Sequence, residues 1–298
     1  FVPYSTIGYN FYRERLVTSD QTTTLPIKTT SSYQGEGGLH QAYVGLGWKP
    51  VGNLAVGVNA SFIWGTYTHA MAQTFTEGET SSTAYSGLNS EHSAHLKTYK
   101  IDLGAQYPIR LNPENWLTVG VTVGLGHKIK SDAVLSRYTS VGDSTQVTAK
   151  SPFDLPYTYG GGLAWQHKNT LLVAADYKYE NWGDCRTPHS STESGELTYF
   201  GAKGDYKNRS RFAVGAQYTP DPTDKRYVKR MQYRVGANYS TPYLRVNGID
   251  GPSDMTLSAG LGLPVSNKYN NRSMINLNLQ WLRRKPSSAS LITENYFM

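Results

Sequence analysis

Leu54-Ala55-Val56-Gly57-Val58-Asn59-Ala60-Ser61-Phe62-Ile63-Trp64-Gly65 is the stretch that decides the fold. Leu54, Val56, Val58, Ala60, Phe62 and Trp64 share one register, with Ala55, Gly57, Asn59, Ser61, Ile63 and Gly65 on the other. A period of two places alternate side chains on opposite faces of a strand. The pattern returns at Tyr99, Ile101, Leu103, Ala105 and Tyr107, and at Leu117, Val119, Val121, Val123 and Leu125. It also fits residues 7–11, 42–48, 157–165, 171–179, 212–218, 233–239, 255–263 and 275–281, and residues 290–298 begin one more. Helical spacing is nearly absent. The chain reads as all-β, with about twelve strands.

The apolar register is continuous, whereas the opposite one is small or polar. It carries Gly, Ala, Ser, Thr, Asn and Gln together with Lys100, Asp102, Asp176, Lys178, Glu180, Arg211 and Arg234. A water-soluble sandwich packs large branched side chains on its inner faces. Apolar-out and polar-in alternation is instead what a barrel in lipid requires, because lipid covers the outside while the lumen is wet. The expected architecture is therefore an antiparallel up-and-down transmembrane β-barrel, formed by residues 1–298 as a single domain.

Composition agrees and removes other classes. Mean hydropathy is -0.49, the average of two unlike faces rather than an argument against a membrane. Aromatics at 12% and hydrophobics at 38% exceed what disordered segments carry. No apolar run approaches the ~18 residues of a membrane-spanning helix. Cys185 is the only cysteine, so no disulfide closes within the chain. The net charge of +7 is scattered and reads as loop solvation.

Aromatic placement gives an independent reading. Trp48, Trp64, Tyr99, Tyr107, Trp165, Tyr179, Tyr218, Tyr239 and Trp281 lie on the apolar register near strand ends, where a girdle at the membrane–water interface would need them. The path from Tyr99 to Tyr107, at ~3.3 Å per residue and a tilt of ~40°, rises roughly 20 Å, close to the ~25 Å apolar band of such barrels. Connections alternate in length. Residues 49–53, 111–115, 167–169, 220–225 and 265–271 are tight, whereas 17–38, 76–92, 137–153 and 182–208 read as long polar loops, with 246–253 and 284–289 on the same side. Short turns on one side and long loops on the other match periplasmic and extracellular ends.

The inward charges listed above are candidates for a polar lumen wall, either as cross-strand ion pairs or as the lining of a solute path. Arg283-Arg284-Lys285 follows outward-facing Trp281 at the expected outer rim and is a candidate contact for lipopolysaccharide phosphates. His92 and His95, three apart with Glu91 beside them, fall on opposite strand faces and so do not form a metal site. Ser86, Ser93, His69 and His95 would be the groups to inspect for a rim hydrolase, although no nucleophile-elbow motif accompanies them. No catalytic, metal or cofactor residue is assigned. The glycine runs lack a following helix, so they are not dinucleotide loops, and no nucleic-acid module is visible.

At Gly37-Gly38-Leu39-His40-Gln41-Ala42-Tyr43-Val44-Gly45-Leu46-Gly47-Trp48-Lys49-Pro50, followed by Leu54-Ala55-Val56-Gly57-Val58-Asn59-Ala60, the chain resembles the FadL/TodX-type outer-membrane transporters, in their Bacteroidota branch. Val2-Pro3-Tyr4-Ser5-Thr6-Ile7-Gly8-Tyr9 and Ile292-Thr293-Glu294-Asn295-Tyr296-Phe297-Met298 are similar to that branch as well. These are structural hairpin signatures. The resemblance implies a barrel of 14 strands in the full-length family, a hatch folded in the lumen, and a Gram-negative outer membrane as location. Phe1-Val2-Pro3-Tyr4 has neither signal-peptide region, and the chain opens on a strand and ends within another, as expected of a fragment without signal or hatch.

The expected function is then passive passage of hydrophobic compounds, long-chain fatty acids by resemblance, without covalent chemistry. Its partners would be outer-membrane lipids, lipopolysaccharide and a hydrophobic small molecule. A structural or secretion-associated barrel that binds protein partners is the alternative, and an outer-membrane lipid hydrolase a weaker one. A conduit is expected to show an apolar lumen pocket, and a docking barrel a plugged lumen with an exposed apolar patch.

Overall fold

The computed structural model describes residues 2–17, 27–77, 84–193, 195–221, 223–246, 248–265, 273–287 and 292–298. Five strands open the chain: β1 (Val2–Val17), β2 (Ile27–Val51), β3 (Leu54–Glu77), β4 (Ala84–Asn112) and β5 (Asn115–Gly124). Four short ones follow, β6 (His127–Ile129), β7 (Ala133–Thr139), β8 (Ser144–Ala149) and β9 (Phe153–Leu155). The hairpin β10 (Thr158–His167) and β11 (Leu171–Glu180) leads to a smaller one, β12 (Thr187–Glu193) and β13 (Glu196–Ala202). Then come β14 (Arg209–Tyr218), β15 (Gln232–Ser240), β16 (Arg245–Val246), β17 (Ile249–Asp250), β18 (Ser253–Val265), β19 (Ser273–Lys285) and β20 (Glu294–Phe297).

The expected all-β, antiparallel, up-and-down architecture holds. The large sheet has 14 strands, in the order β1-β2-β3-β4-β5-β10-β11-β14-β15-β18-β19-β20, with β7 paired to β4 and β8 to β7. The path thus holds the twelve strands read from the sequence. The remaining two are a hairpin laid against β4. β1 and β20 end the path, and no pairing joins them among the described residues.

Exposure separates the two faces as the alternation demands. On β3, Phe62 is 51% exposed and Val58 48%, while Ser61 and Ile63 between and beside them are 4% and 2% exposed. Val121, Leu163, Val214, Val235 and Leu279 continue the exposed apolar face around the path. In water this surface would exceed the few hundred Å² of apolar patch that soluble monomers tolerate. Lipid removes that cost.

The turns read at 49–53, 111–115 and 167–169 lie at one end, where Gly52, at φ +55, turns β2 into β3 and Lys168, at φ 51, turns β10 into β11. The turn read at 220–225 is instead part of a longer connection, 219–231, that carries a short helix at Tyr227–Arg230, and 266–271 lie outside the described residues. The opposite end corrects the sequence reading. β2 has 25 residues, β3 24 and β4 29, whereas ~9–11 tilted residues suffice to cross a bilayer. Segments expected to be loops at 27–38 and 84–92 are therefore strand, and residues 137–153 and 182–208 contain the β7–β8 and β12–β13 hairpins. The Thr-, Ser- and Gln-rich run at 28–34 is polar on both faces, so its alternation leaves no hydropathy signal.

A hydrophobic core sits on this extension. Ala94 and Leu96 of β4, Ile129, Ala133, Leu135, Ala149 and Tyr199 are buried together, with Tyr67 of β3, Phe153 and Leu155 packed against them. Ala133 and Leu135 are fully buried. Tyr67, Ala94 and Leu96 share the strand register of Ile63, Lys100 and Asp102, so the hairpins pack on the inward side of the extended sheet. Ile7, Tyr9 and Phe11 pair with Gly37, Gly35 and Tyr33 and fall on this same side. The apolar residues of β1 thus extend the core's face.

Candidate functional site

The polar register of the wall carries a chain of ion pairs near the ends of β11, β14, β18, β19 and β20. Lys178 Nζ lies 2.9 Å from Glu180 Oε1, and Arg211 Nη1 is 3.8 Å from the same oxygen. Trp182 Nε1 donates to Glu180 Oε2 at 3.1 Å. Asp254 receives Arg284 Nε at 2.9 Å and faces Arg209 Nη2 at 3.9 Å, and Arg284 Nη1 is 3.8 Å from Glu294. The register explains the order, since Lys178 pairs with Arg211, Arg211 with Ser240, Ser240 with Asp254, and Asp254 with Arg284. Opposite charges on neighbouring strands satisfy one another where no hydrocarbon contact is available.

The candidate wall residues fall into separate groups. Lys178, Glu180 and Arg211 belong to the chain, while Lys100 and Asp102 pair with each other on β4. Arg234 joins an amide network instead, donating to Gln217 Oε1 at 2.9 Å and Asn276 Oδ1 at 2.8 Å. Asp176 lies against Gly162, where an added Cβ would come within 2.1 Å of its Oδ1. Sequence reasoning missed Arg209, Asp254 and Glu294 as members. Arg209 stands two residues from Arg211 on the same face, which was the available signal. Arg284, grouped in the sequence with Arg283 and Lys285, turns inward to Asp254, because consecutive strand residues alternate faces.

A cavity of about 1040 Å³ lies along β2 to β5, β10 and β11. Its inward lining includes Asn59, Asp102, Gln106, Thr122, Asp176 and Lys178, over glycines at 57, 104, 120, 160 and 162. Above the ion pairs, Trp182, Tyr206 and Tyr243 cluster at centroid separations of 5.3, 5.7 and 6.1 Å, with the Arg209 guanidinium 5.1 Å from the Tyr243 ring.

All nine girdle candidates lie on the outward register. Trp48, Tyr107, Trp165 and Tyr218 stand near the short-turn ends, and Trp64, Tyr99, Tyr179, Tyr239 and Trp281 toward the other.

Two contacts tie the β12–β13 hairpin to its neighbours, one to β9 and one to β4. Arg186 donates to Asp154 through Nε at 2.7 Å, Nη2 at 2.6 Å and its backbone N at 3.0 Å. Burial opposes the Asp154 charge, yet these bonds and the Arg186 charge hold its carboxyl below the ordinary range. His92 Nδ1 lies 3.2 Å from the Tyr199 hydroxyl, and burial, Arg137 and His69 all keep that imidazole neutral by lowering its pKa. Asp154→Ala would leave the half-buried guanidinium unpaired and is expected to cost this unit about 1 kcal/mol. A depressed carboxylate stabilises above its unfolded pKa of ~4, and the contribution is lost as pH falls below it. Proteolysis at β12–β13 is therefore expected to quicken in Asp154→Ala at pH 7, and in the native protein only below pH ~4. Equal cleavage of both proteins at pH 7 would count against the anchor.

No group of three or more His, Cys, Asp or Glu residues that could hold a metal occurs among the described residues. Tyr9 Oη hydrogen-bonds His69 Nδ1 at 2.7 Å, and Thr98 Oγ1 lies 2.8 Å from His127 Nε2. The Ser86 side chain lies outside the described residues. Cys185 is buried, and its thiol is pushed up to about 12 by burial and by the Asp154 and Asp184 carboxylates.

A comparison with curated proteins finds no match. Among solved structures, the P. putida toluene transporter TodX is 14% identical with a TM-score of 0.51, over 92% of this chain and 72% of that one. A Pseudomonas aeruginosa FadL homologue is 11% identical with a TM-score of 0.58, over 92% and 69%. A TodX monoaromatic hydrocarbon channel with the deltaS2 mutation is 13% identical, with a TM-score of 0.55, over 98% and 80%. At these identities the likeness is one of fold, so the FadL/TodX resemblance holds for the barrel, while the family carries another name. The BamG family model matches residues 1–298, and the chain belongs to the BamG family.

Proposed function

We propose that this chain forms a Gram-negative outer-membrane barrel that admits hydrophobic or amphipathic small compounds by passive diffusion, long-chain fatty acids among them. The observation that carries this reading is the 1040 Å³ cavity against the inner face of a wall whose outer face is apolar. The structural relatives described as a toluene transporter and a hydrocarbon channel share that wall. An amphipathic ligand would place its chain over the glycine floor and its acid toward Lys178, the ammonium that lines the cavity. No bond is made or broken, and the residues bind and orient only.

The test is displacement of a fluorescent fatty-acid probe from the full-length protein in detergent. Saturable displacement at micromolar concentration, weakened at least tenfold by Gly120→Trp, supports the reading. Gly120 faces the cavity and its Cβ would meet only Ala105 O at 3.9 Å, so the indole fills space without a backbone clash. No displacement from a folded barrel overturns it.

A second reading is favoured by a different observation: the packed core lies on the extension, not in the wall. Beside it Phe11 stacks on Tyr33 at 5.0 Å and remains 54% exposed, as a surface for a protein partner would. This structural or secretion-associated role predicts a stoichiometric partner that co-purifies in mild detergent and is lost when Thr187–Glu193 and Glu196–Ala202 are removed.

A further inference from the structure

We infer that the outer end of β18 and β19 binds a phosphorylated lipid of the outer leaflet, with its phosphate on Arg283 and Lys285 and an acyl chain in the groove beside them. The inference rests on the outward face being lipid-facing and is independent of what crosses the lumen.

The groove has a volume of about 810 Å³ and is lined on the outward register by Val121, Leu163, Phe212, Val214, Tyr239 and Met255. Gly161, Ala175 and Ala237 form its floor, and these small residues create the concavity. A single cross-strand row follows its outer margin: Tyr177 pairs with Phe212, Phe212 with Tyr239, Tyr239 with Met255, and Met255 with Arg283. The groove therefore ends one strand away from an outward guanidinium. Lys285 lies two residues further out on the same face, opposite Ser253. Both basic side chains are exposed.

Their surroundings select an anion. Alternation has turned Arg284 to the other face, where it holds Asp254 and Glu294. The outward neighbours of Arg283 and Lys285 are Met255, Ser253 and Asn295, all neutral. Among the described residues no carboxylate pairs with either. A guanidinium offers a fork that matches two phosphate oxygens, and the ammonium adds a point charge. Next to an apolar groove in the belt, the complementary molecule is one that carries a phosphate and an acyl chain together, namely the phosphorylated glycolipid of that leaflet.

The experiment uses the full-length protein in detergent at low salt, with lipid A, dephosphorylated lipid A, phosphatidylethanolamine and inorganic phosphate as probes. Bound lipid is counted by native mass spectrometry. Lipid A is expected to bind most tightly and to lose about fivefold per basic side chain removed, so about 25-fold in R283Q/K285Q, while Arg284→Gln keeps it within about twofold. Ala237→Phe, which fills the groove floor, weakens lipid A and its dephosphorylated counterpart alike. The shift of electrophoretic mobility on heating shows that each variant is folded. Unchanged lipid A binding in R283Q/K285Q overturns the inference, as does an Ala237→Phe variant that binds normally. Competition by inorganic phosphate that fully displaces lipid A would assign the site to the anion alone and overturn the acyl-chain half. A failed fatty-acid displacement assay would leave all of these outcomes unaffected.

Discussion

Leu135→Ala is expected to raise amide exchange across Ala133–Thr139 by about a hundredfold or more while the wall strands keep their protection. Leu135 is fully buried between β4 and the β8 strand, in a core that the structure builds outside the wall. Truncating a buried leucine costs about 2–5 kcal/mol, of which the cavity left behind is a large part. Ala94 and Ala149 are small and held by strand pairing, so they cannot move to refill the space. A loss of about 3 kcal/mol corresponds to roughly a 150-fold rise in the population of the locally open hairpin. Hydrogen exchange resolved by peptide checks it. Leu279→Ala on the lipid-facing side provides the contrast, because Leu279 is exposed and its replacement leaves no enclosed cavity. If both variants exchange alike, the extension has no core of its own, and the docking reading loses its platform.

The wall was legible because its physics is one-dimensional. An apolar register such as Val56-Val58-Ala60-Phe62 repeats every two residues and can be read without knowing any neighbour. Tight turns follow from the same reading. The ion-pair chain was half legible: Lys178, Glu180 and Arg211 sit inside obvious strands, whereas Asp254 and Glu294 stand at strand ends and become partners only through register. The Arg283-Arg284-Lys285 triplet shows the opposite failure. Adjacent in sequence, its members are divided between two faces by the strand that carries them.

The extension was hidden for a different reason. Residues 28–34 and 84–93 are mostly polar on both registers, with few apolar residues such as Tyr33 and Leu88, because one face meets water and much of the other is covered by hairpins that return from 127 to 202 in the chain. Strand pairing there is specified by partners rather than by local hydropathy, and single-sequence periodicity does not see partners. Of the core residues, Ala149 fell inside the segment read as a polar loop, 137–153, and Ala133 and Leu135 stood as short apolar islands just before it. Arg186 and Asp154, which lock that region, are 32 positions apart.

Gly65→Ala is expected to destabilise the barrel by about 3 kcal/mol or more, far beyond the loss of a glycine's flexibility. Gly65 has φ +155, and a Cβ built on it would stand 2.0 Å from Gly38 O and 2.9 Å from Leu39 Cα. Gly37, at φ +123, presents the mirror problem, with Thr66 O at 2.2 Å. The two glycines stand on adjacent strands two register positions apart, at Leu39↔Gly65 and Gly37↔Tyr67, between the lipid-facing residues and the core-bearing extension. The Gly37-Gly38 pair that opens the family-like motif is thus the place where two backbones come closer than side chains allow. The clashing atoms are backbone, so no rotamer change relieves them. The strands must separate or slip, and a slip of one residue would turn the apolar register of β2 or β3 into the lumen. Gly57→Ala is the control, since its Cβ would meet only Leu46 O at 3.5 Å, an ordinary contact. Urea titration in detergent, followed by heat-modifiable mobility, compares the two. A large drop in midpoint for Gly65→Ala and a small change for Gly57→Ala place the register lock at this junction. Equal midpoints would mean that the wall and the extension are held in register elsewhere, with the buried β4–β7 pairing the next place to look.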